Sequence, residues 1–333
     1  MAALIACENL AKRFSSAPRL GDRLARFLGR PVRPRTVHAV DDVSLEIAKG
    51  EVLGLVGESG CGKSTLGRMI AGIQPPSAGR ALLDGAPVMG GGRRPVKTTT
   101  RVQMIFQDPF ASLDPRMRIG DIVAEGPIAN GLVSRAEAAA DTAKWLAAVG
   151  LDPTASQRYP HQFSGGQRQR VAIARALAMQ PDILVCDEPV ASLDVSIQAQ
   201  IINLFLKLKR DLGLTMLFIS HDLGLVRHIS DRVAIMYLGK LVETGATQAV
   251  FDNPRHPYTR ALLDSMPKLR LDDAEIAFRP IEGELPSPLA PPPGCHFHLR
   301  CPGVRAACRT AVPELIRAAD GRELACHYPL QGG

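Results

Sequence analysis

The chain has 333 residues, 46% of them apolar and 22% charged, with a formal net charge of +7. That balance excludes a disordered or low-complexity protein and allows a substantial core. No apolar run approaches the roughly 20 residues that span a bilayer, so contact with a membrane is expected through partners alone. The basic excess on its own fits nucleic acid, anionic lipid or a plain solvated surface.

The opening MAALIACENL carries Glu8 and no basic lead, so it does not read as a secretion signal and a cytoplasmic location is expected. From Pro18 to Arg35, six arginines (19, 23, 26, 30, 33 and 35) face a single acid, Asp22. Leu20, Leu24, Phe27 and Leu28 fall there at helical spacing, which fits a short amphipathic helix near a membrane face or a flexible basic loop. Val52 to Val56 is a continuous apolar run that predicts a buried strand. Gly57, Glu58, Ser59, Gly60, Cys61, Gly62, Lys63 and Ser64 follow at once and fit G-x-x-x-x-G-K-[ST], with a helical run behind them. Glycines there let backbone N–H groups curl around nucleotide phosphates, and the helix adds its positive end. Lys63 can reach the β and γ phosphates, the Ser64 hydroxyl can ligate Mg²⁺, and Thr65 can assist at the α phosphate. A chance Gly-rich turn would lack the flanking strand and helix.

Further on, Ser134 and Glu137 form the S-x-x-E pattern of a capping box ahead of Ala138, Thr142, Trp145, Leu146 and Val149. This predicts a helical insert from about Gln107 to Val171. Phe163-Ser164-Gly165-Gly166-Gln167 leads into a helix expected from Arg168 to Met179. Ile183 to Asp187, Thr215 to Ser220 and Arg232 to Tyr237 are further continuous strands, of the kind a parallel sheet covers on both faces. Ile197, Ile201, Leu204, Leu208 and Leu212 line one helix face, stopped by Gly213. The alternation predicts an α/β fold.

Asp187 closes its strand at the carboxyl edge, where it can hold Mg²⁺ through water. Glu188 beside it can polarise an attacking water as general base. His221, just past the third strand, can contact the γ phosphate and the water; without that position a lone histidine would read as structural. From Asn253 onward prolines crowd the chain, as in LPSPLAPPPG, which reads as a separate appendage without regular elements.

These motifs together resemble the ATP-binding subunits of ATP-binding cassette (ABC) transporters, along nearly the whole chain. Phe163 to Gln167 resembles the family's signature, with Phe163 where the family has Leu. The resemblance implies an α/β phosphate-loop (RecA-like) core in two parts, 1–106 with a basic insert at about 15–36 and 172–252. A helical signature subdomain, 107–171, lies between them, and a small cysteine-containing appendage, 253–333, follows. It implies ATP and Mg²⁺ as ligands. Phe14 resembles the aromatic that stacks on adenine, or is a core aromatic; Gln107 resembles the glutamine that senses Mg²⁺. Ser164, Gly165, Gly166 and Gln167 would serve the partner's ATP, and Ser192-Leu193-Asp194 resembles the loop that crosses to that partner.

A narrower likeness, to oligopeptide and dipeptide importers, rests on Gln107 to Pro115, Cys186 to Pro189 and His256-Pro257-Tyr258-Thr259. Catalysis is expected from Lys63, Glu188 and His221. The implied partners are a second, homologous ATP-binding subunit, two integral permease subunits and, indirectly, an extracytoplasmic binding protein. The implied place is the cytoplasmic face of the inner membrane. Nickel and glutathione importers share these motifs, so the cargo stays open. A soluble relative acting on nucleic acid would carry two cassettes or a long insert, and neither is present here.

Seven cysteines include four near the end: Cys295, Cys301, Cys308 and Cys326. In a reducing compartment such a group points to metal. The importer likeness implies a [4Fe-4S] cluster. Zinc, with His296, His298 and His327 as further donors, and unliganded thiols are the alternatives.

Overall fold

The computed structural model describes residues 3–15, 36–92, 94–266 and 281–331. The basic stretch expected at about 15–36 therefore lies outside the described residues except for its two ends. The strands are β1 (Ala3–Ser15), β2 (Thr36–Ala48), β3 (Val52–Val56), β4 (Ala78–Leu83), β5 (Ala86–Pro87) and β6 (Val102–Ile105). They continue as β7 (Ile183–Asp187), β8 (Thr215–Ile219), β9 (Arg232–Tyr237), β10 (Lys240–Ala246), β11 (Ile316–Arg317) and β12 (Glu323–Leu324). Among the described residues they form two sheets, ordered β2-β1-β4-β5 and β11-β12-β10-β9-β3-β8-β7-β6.

The pairs β6·β7, β7·β8, β8·β3 and β3·β9 are parallel. The four strands expected from continuous apolar runs are β3, β7, β8 and β9, and they sit side by side at the centre. Alternate residues of one strand enter opposite cores, as the strand period of two requires. Leu53 and Leu55 face the antiparallel sheet with Leu217, Ile219 and Met236. Val52 and Val56 face the helical side with Met216, Phe218 and Tyr237. Each such side chain contributes roughly 1.5–3 kcal/mol by leaving water.

The antiparallel sheet was not expected. β1 breaks its own alternation with register shifts against β2 and a left-handed Asn9 (φ 48°), so no clean period of two survives in its sequence.

The insert packs the helices Ile119–Ala129, Ala138–Ala148 and Gly165–Ala178 around Ile119, Ile122, Trp145, Leu146 and Val171. Ser134 and Glu137 make the expected reciprocal bonds, Glu137 N to Ser134 Oγ at 3.3 Å and Ser134 N to Glu137 Oε2 at 3.2 Å. The signature helix starts at Gly165, three residues before the expected Arg168. A second capping box, in which Gln167 N donates to Ser164 Oγ and Ser164 N to Gln167 Oε1, draws it forward.

The C-terminal part is less separate than its prolines suggested. LPSPLAPPPG is irregular as expected. Yet β12 pairs with β10 and so extends the central sheet, while Tyr258 and Phe297 are fully buried in the helical-side core. His256 starts the helix Pro257–Asp264 by accepting Tyr258 N at Nδ1, 3.0 Å away. Burial pushes its pKa down to about 3, so the ring is the neutral acceptor that this bond needs. Glu243, itself fully buried, accepts the backbone N–H of Arg255 and of His256 and holds this corner in place.

Gly54 marks a close approach within β3. A Cβ there would lie 2.4 Å from Val226 Cγ1 on the neighbouring helix Leu223–Ile229 and 2.6 Å from Oγ of Ser230, which caps that helix. Gly54→Ala is expected to lower stability by about 1–3 kcal/mol. Urea unfolding reads this as a lower midpoint, and an unchanged midpoint would mean that the helix yields freely.

Candidate functional site

The carboxyl ends of β3, β7 and β8, with the turn after β6, converge on one cup. The loop after β3 forms its floor. It is held close to its surroundings: a Cβ at Gly57 would sit 2.1 Å from Met236 O, and one at Gly62 (φ 111°) 2.1 Å from Ala39 O. These positions need glycine for space, and Gly62 also for conformation. Lys63 begins the helix Lys63–Ile70 and is 5% exposed. Its Nζ donates to Gly57 O at 2.7 Å and Glu58 O at 2.9 Å, so a cation is fixed inside the loop. Cys61 is buried and contributes backbone to the loop. Ser59 and Gly60 are exposed at its tip, and Thr65 sits in the first turn of the helix.

Ser64 Oγ donates to Asp187 Oδ1 at 2.7 Å, bringing the two expected magnesium ligands together. Asp187 is 2% exposed. Burial raises its pKa above the ordinary carboxylate value, against the opposing pull of the Ser64 hydrogen bond, Arg68 and Lys63.

Glu188 follows in a left-handed backbone conformation (φ 47°), held by its N–H to Ile219 O at 3.0 Å. Strain of this kind at a non-glycine residue clusters at functional sites. One carboxylate oxygen accepts Gln107 Nε2 at 2.9 Å, and the other lies 3.3 Å from His221 Nδ1. Gln107, Glu188 and His221, far apart in sequence, thus form one polar chain at the mouth of the cup.

Ser164 and Gln167 are exposed at the head of their helix. Gly165 and Gly166 lie against the following element: a Cβ at Gly166 would be 2.6 Å from Ile197 Cγ2, and one at Gly165 3.4 Å from Leu193 Cδ2. The signature and the exposed Asp194 are therefore neighbours on one surface. Phe14, 40% exposed with Lys12 Nζ 5.3 Å from its ring centre, is a surface aromatic rather than a core one.

Two residues given no role at the nucleotide site by the sequence, Tyr258 and Arg300, also reach the loop. Glu58 N donates to Tyr258 Oη at 2.9 Å, and Arg300 Nη1 donates to Glu58 Oε1 and Oε2 at 3.0 and 2.9 Å. They come from 200 and 242 residues away, a distance that local pattern cannot bridge.

Cys295, Cys301, Cys308 and Cys326 line a single small cavity beside His256, His298 and His327. Burial pushes the thiols of Cys295 and Cys301 up, and that of Cys326 to about 11. Among the described residues no group of three or more His, Cys, Asp or Glu side chains is gathered as a single metal ion would gather it.

The pattern of the family described as "ABC transporter" matches residues 40–191. That described as "Oligopeptide/dipeptide transporter, C-terminal region" matches residues 242–308. The Di/tripeptide transport ATP-binding protein DppF of Pseudomonas aeruginosa is 49% identical over 296 residues, 89% of this chain and 91% of that protein. The Oligopeptide transport ATP-binding protein AppF of Bacillus subtilis is 49% identical over 294 residues, 87% of this chain and 89% of that protein. Among solved structures, cbiO1 from Clostridium perfringens, part of the ABC transporter complex cbiONQ, superposes with a TM-score of 0.60 at 28% identity. The match covers 75% of this chain and 91% of that one.

The Asp187 environment has a measurable sign. Its raised pKa means that the native state keeps this proton to higher pH than the unfolded chain does. The group's contribution to stability is thus complete below the unfolded value and is lost as pH rises through the raised one. Asp187→Asn, without metal or nucleotide, is expected to raise Tm at pH 7, with a margin that narrows toward the acid end. Calorimetry in chelator at several pH values tests this. A lower Tm at pH 7 would mean that the Ser64, Arg68 and Lys63 interactions outweigh desolvation.

Proposed function

The chain belongs to the ABC transporter family, as one of its ATP-binding subunits, and on that premise we propose that it hydrolyses ATP to drive uptake of di- and oligopeptides. The observation that carries the reading is the convergence of Lys63, the Ser64–Asp187 pair and the Gln107–Glu188–His221 chain on one glycine loop. The likeness to DppF and AppF along most of the chain supports the peptide cargo.

The residues suit their ligands. A hydroxyl, a carboxylate and an amide are oxygen donors of the kind Mg²⁺ prefers. Ser64, Asp187 and Gln107 would hold the ion, which would supply positive charge to neutralise the phosphates. Lys63 and the loop's N–H groups orient the phosphates, with Phe14 against the base. Glu188 accepts the proton of the attacking water, and His221 and Gln107 hold its carboxylate in place. The catalysis is positioning and electrostatics rather than covalent chemistry.

Ser164, Gln167 and Asp194 lie exposed on one surface, with Gly165 and Gly166 packed beneath them, ready for the nucleotide of a second cassette. Dimerisation and membrane permease partners go with the family. We assign the partner cassette to a homologous chain rather than a copy. The place is the inner membrane's cytoplasmic face, beneath permeases that receive cargo on the opposite side from an extracytoplasmic binding protein. Among the described residues no helix is long and apolar enough to cross a membrane, in keeping with peripheral attachment. The division into core (1–106 and 172–252), insert (107–171) and C-terminal part (253–333) belongs to the same reading, and no nucleic-acid role is assigned.

For the four cysteines we assign a [4Fe-4S] cluster with a structural role. Four thiols around one cavity supply the ligand count. A cluster spreads its thiolates more widely than zinc, whose Zn–S bonds of about 2.3 Å gather them around one ion.

Glu188→Gln is expected to bind MgATP, accumulate as a closed dimer and lose more than about 100-fold in hydrolysis, the scale of a general base. Normal turnover would remove Glu188 from this role. Anaerobic purification is expected to give about four iron per chain with an absorbance near ~400 nm. Zinc without iron would replace the cluster with a zinc module, and neither metal would leave plain thiols.

A further inference from the structure

The loop that cradles phosphates carries a carboxylate of its own. Glu58 is the second residue of that loop, and its side chain is 23% exposed. A free negative charge there opposes a triphosphate. Arg300 answers it. Its side chain is 5% exposed, its guanidinium holds both Glu58 oxygens, and it donates from Nε to Glu282 O at 3.1 Å.

The backbone beneath is pinned as well. The peptide unit joining Gly57 to Glu58 is bonded at both ends: its carbonyl accepts Lys63 Nζ at 2.7 Å, and its N–H donates to Tyr258 Oη at 2.9 Å. Burial pushes the Tyr258 phenol up, so it stays a neutral hydroxyl that can accept. Tyr237, Tyr258 and Phe297 stack edge-on behind this contact, with ring centres 4.6 and 5.2 Å apart for Tyr237–Tyr258 and Tyr237–Phe297. The turn that delivers Phe297 and Arg300 begins at Cys295 and ends at Cys301, two of the four cysteines lining the thiol cavity.

We propose that Arg300 and Tyr258 are positioning residues of the nucleotide site, through which the C-terminal segment sets ATP affinity: Arg300 cancels the Glu58 charge, and Tyr258 fixes the loop's first peptide. This rests on the ATPase reading above and deepens it. The C-terminal region is then part of the phosphate site, and Glu58 lets that region control the site.

The test is a charge rescue, read by MgATP titration calorimetry on the full chain and by KM and kcat in the assembled transporter. Arg300→Gln is expected to raise Kd and KM for MgATP about tenfold, the order of one uncompensated unit charge near the phosphates. The kcat at saturating ATP should change less than about twofold, since the hydrolytic chain of Gln107, Glu188 and His221 is untouched. Adding Glu58→Gln to Arg300→Gln is expected to return Kd to near the wild-type value, and Arg300→Lys to keep it there. Tyr258→Phe is expected to raise Kd with Tm nearly unchanged. An unchanged Kd in Arg300→Gln overturns the proposal. So does a raised Kd that Glu58→Gln fails to rescue, because lost packing has no such suppressor. Wild-type chain that binds no MgATP would instead sink the ATPase reading itself.

Discussion

Burial of β7, β8, β3 and β9 on both faces leaves chemistry one place to go. Their side chains alternate between two cores, so a polar group within a strand would have to be desolvated on whichever side it faced. The first positions free of that cost are the residues just past the carboxyl ends. Gly57 to Ser64 follow β3, Glu188 follows β7, and Ser220 and His221 follow β8, while Asp187 closes its strand. Parallel pairing then brings all of them to one edge, whatever their separation in sequence. Gln107 arrives by the same rule, two residues after β6.

That rule also explains what could be read from the chain beforehand. A strand buried on both faces writes itself as an unbroken apolar run, and β3, β7, β8 and β9 were legible for that reason. Motifs that depend on local backbone were legible too: the glycine loop, the capping box at Ser134 and the helix stop at Gly213, whereas the second box, at Ser164, emerged only with the structure. β1 was not, because bulges interrupt its alternation. Tyr258 carried a partial signal within His256-Pro257-Tyr258-Thr259. Its partner was invisible, since only the closed fold brings Glu58 and Tyr258 together. Arg300 had no signal, because an arginine beside prolines and cysteines looks like any surface cation until its burial is known.

Electrostatics within the cup follows a consistent design. Lys63 is a cation held by carbonyls of its own loop, which keeps a positive charge in a nearly buried place without a counter-ion that a phosphate would have to displace. Asp187 is a carboxylate kept close to a hydroxyl, and its burial makes it costly to ionise. Glu58 is the exception, an anion with no use for phosphate. The structure contains that exception with a guanidinium whose two hydrogen bonds meet both carboxylate oxygens.

The C-terminal segment is usually the part of such a chain that composition would set aside, dense in proline and poor in regular elements. Here its packing gives a different answer. A segment with so little core of its own must borrow one, and it borrows from the central sheet at β10 and from the aromatic stack behind the phosphate loop. Borrowed burial works in both directions. The contacts that hold Phe297 and Tyr258 in place also hold the floor of the loop, so order at Cys295 to Cys301 and order at Gly57 to Glu58 are parts of one packing problem. An independent tail could be lost without effect on the nucleotide; this one cannot, because Tyr258 and Arg300 are its bonds to the loop.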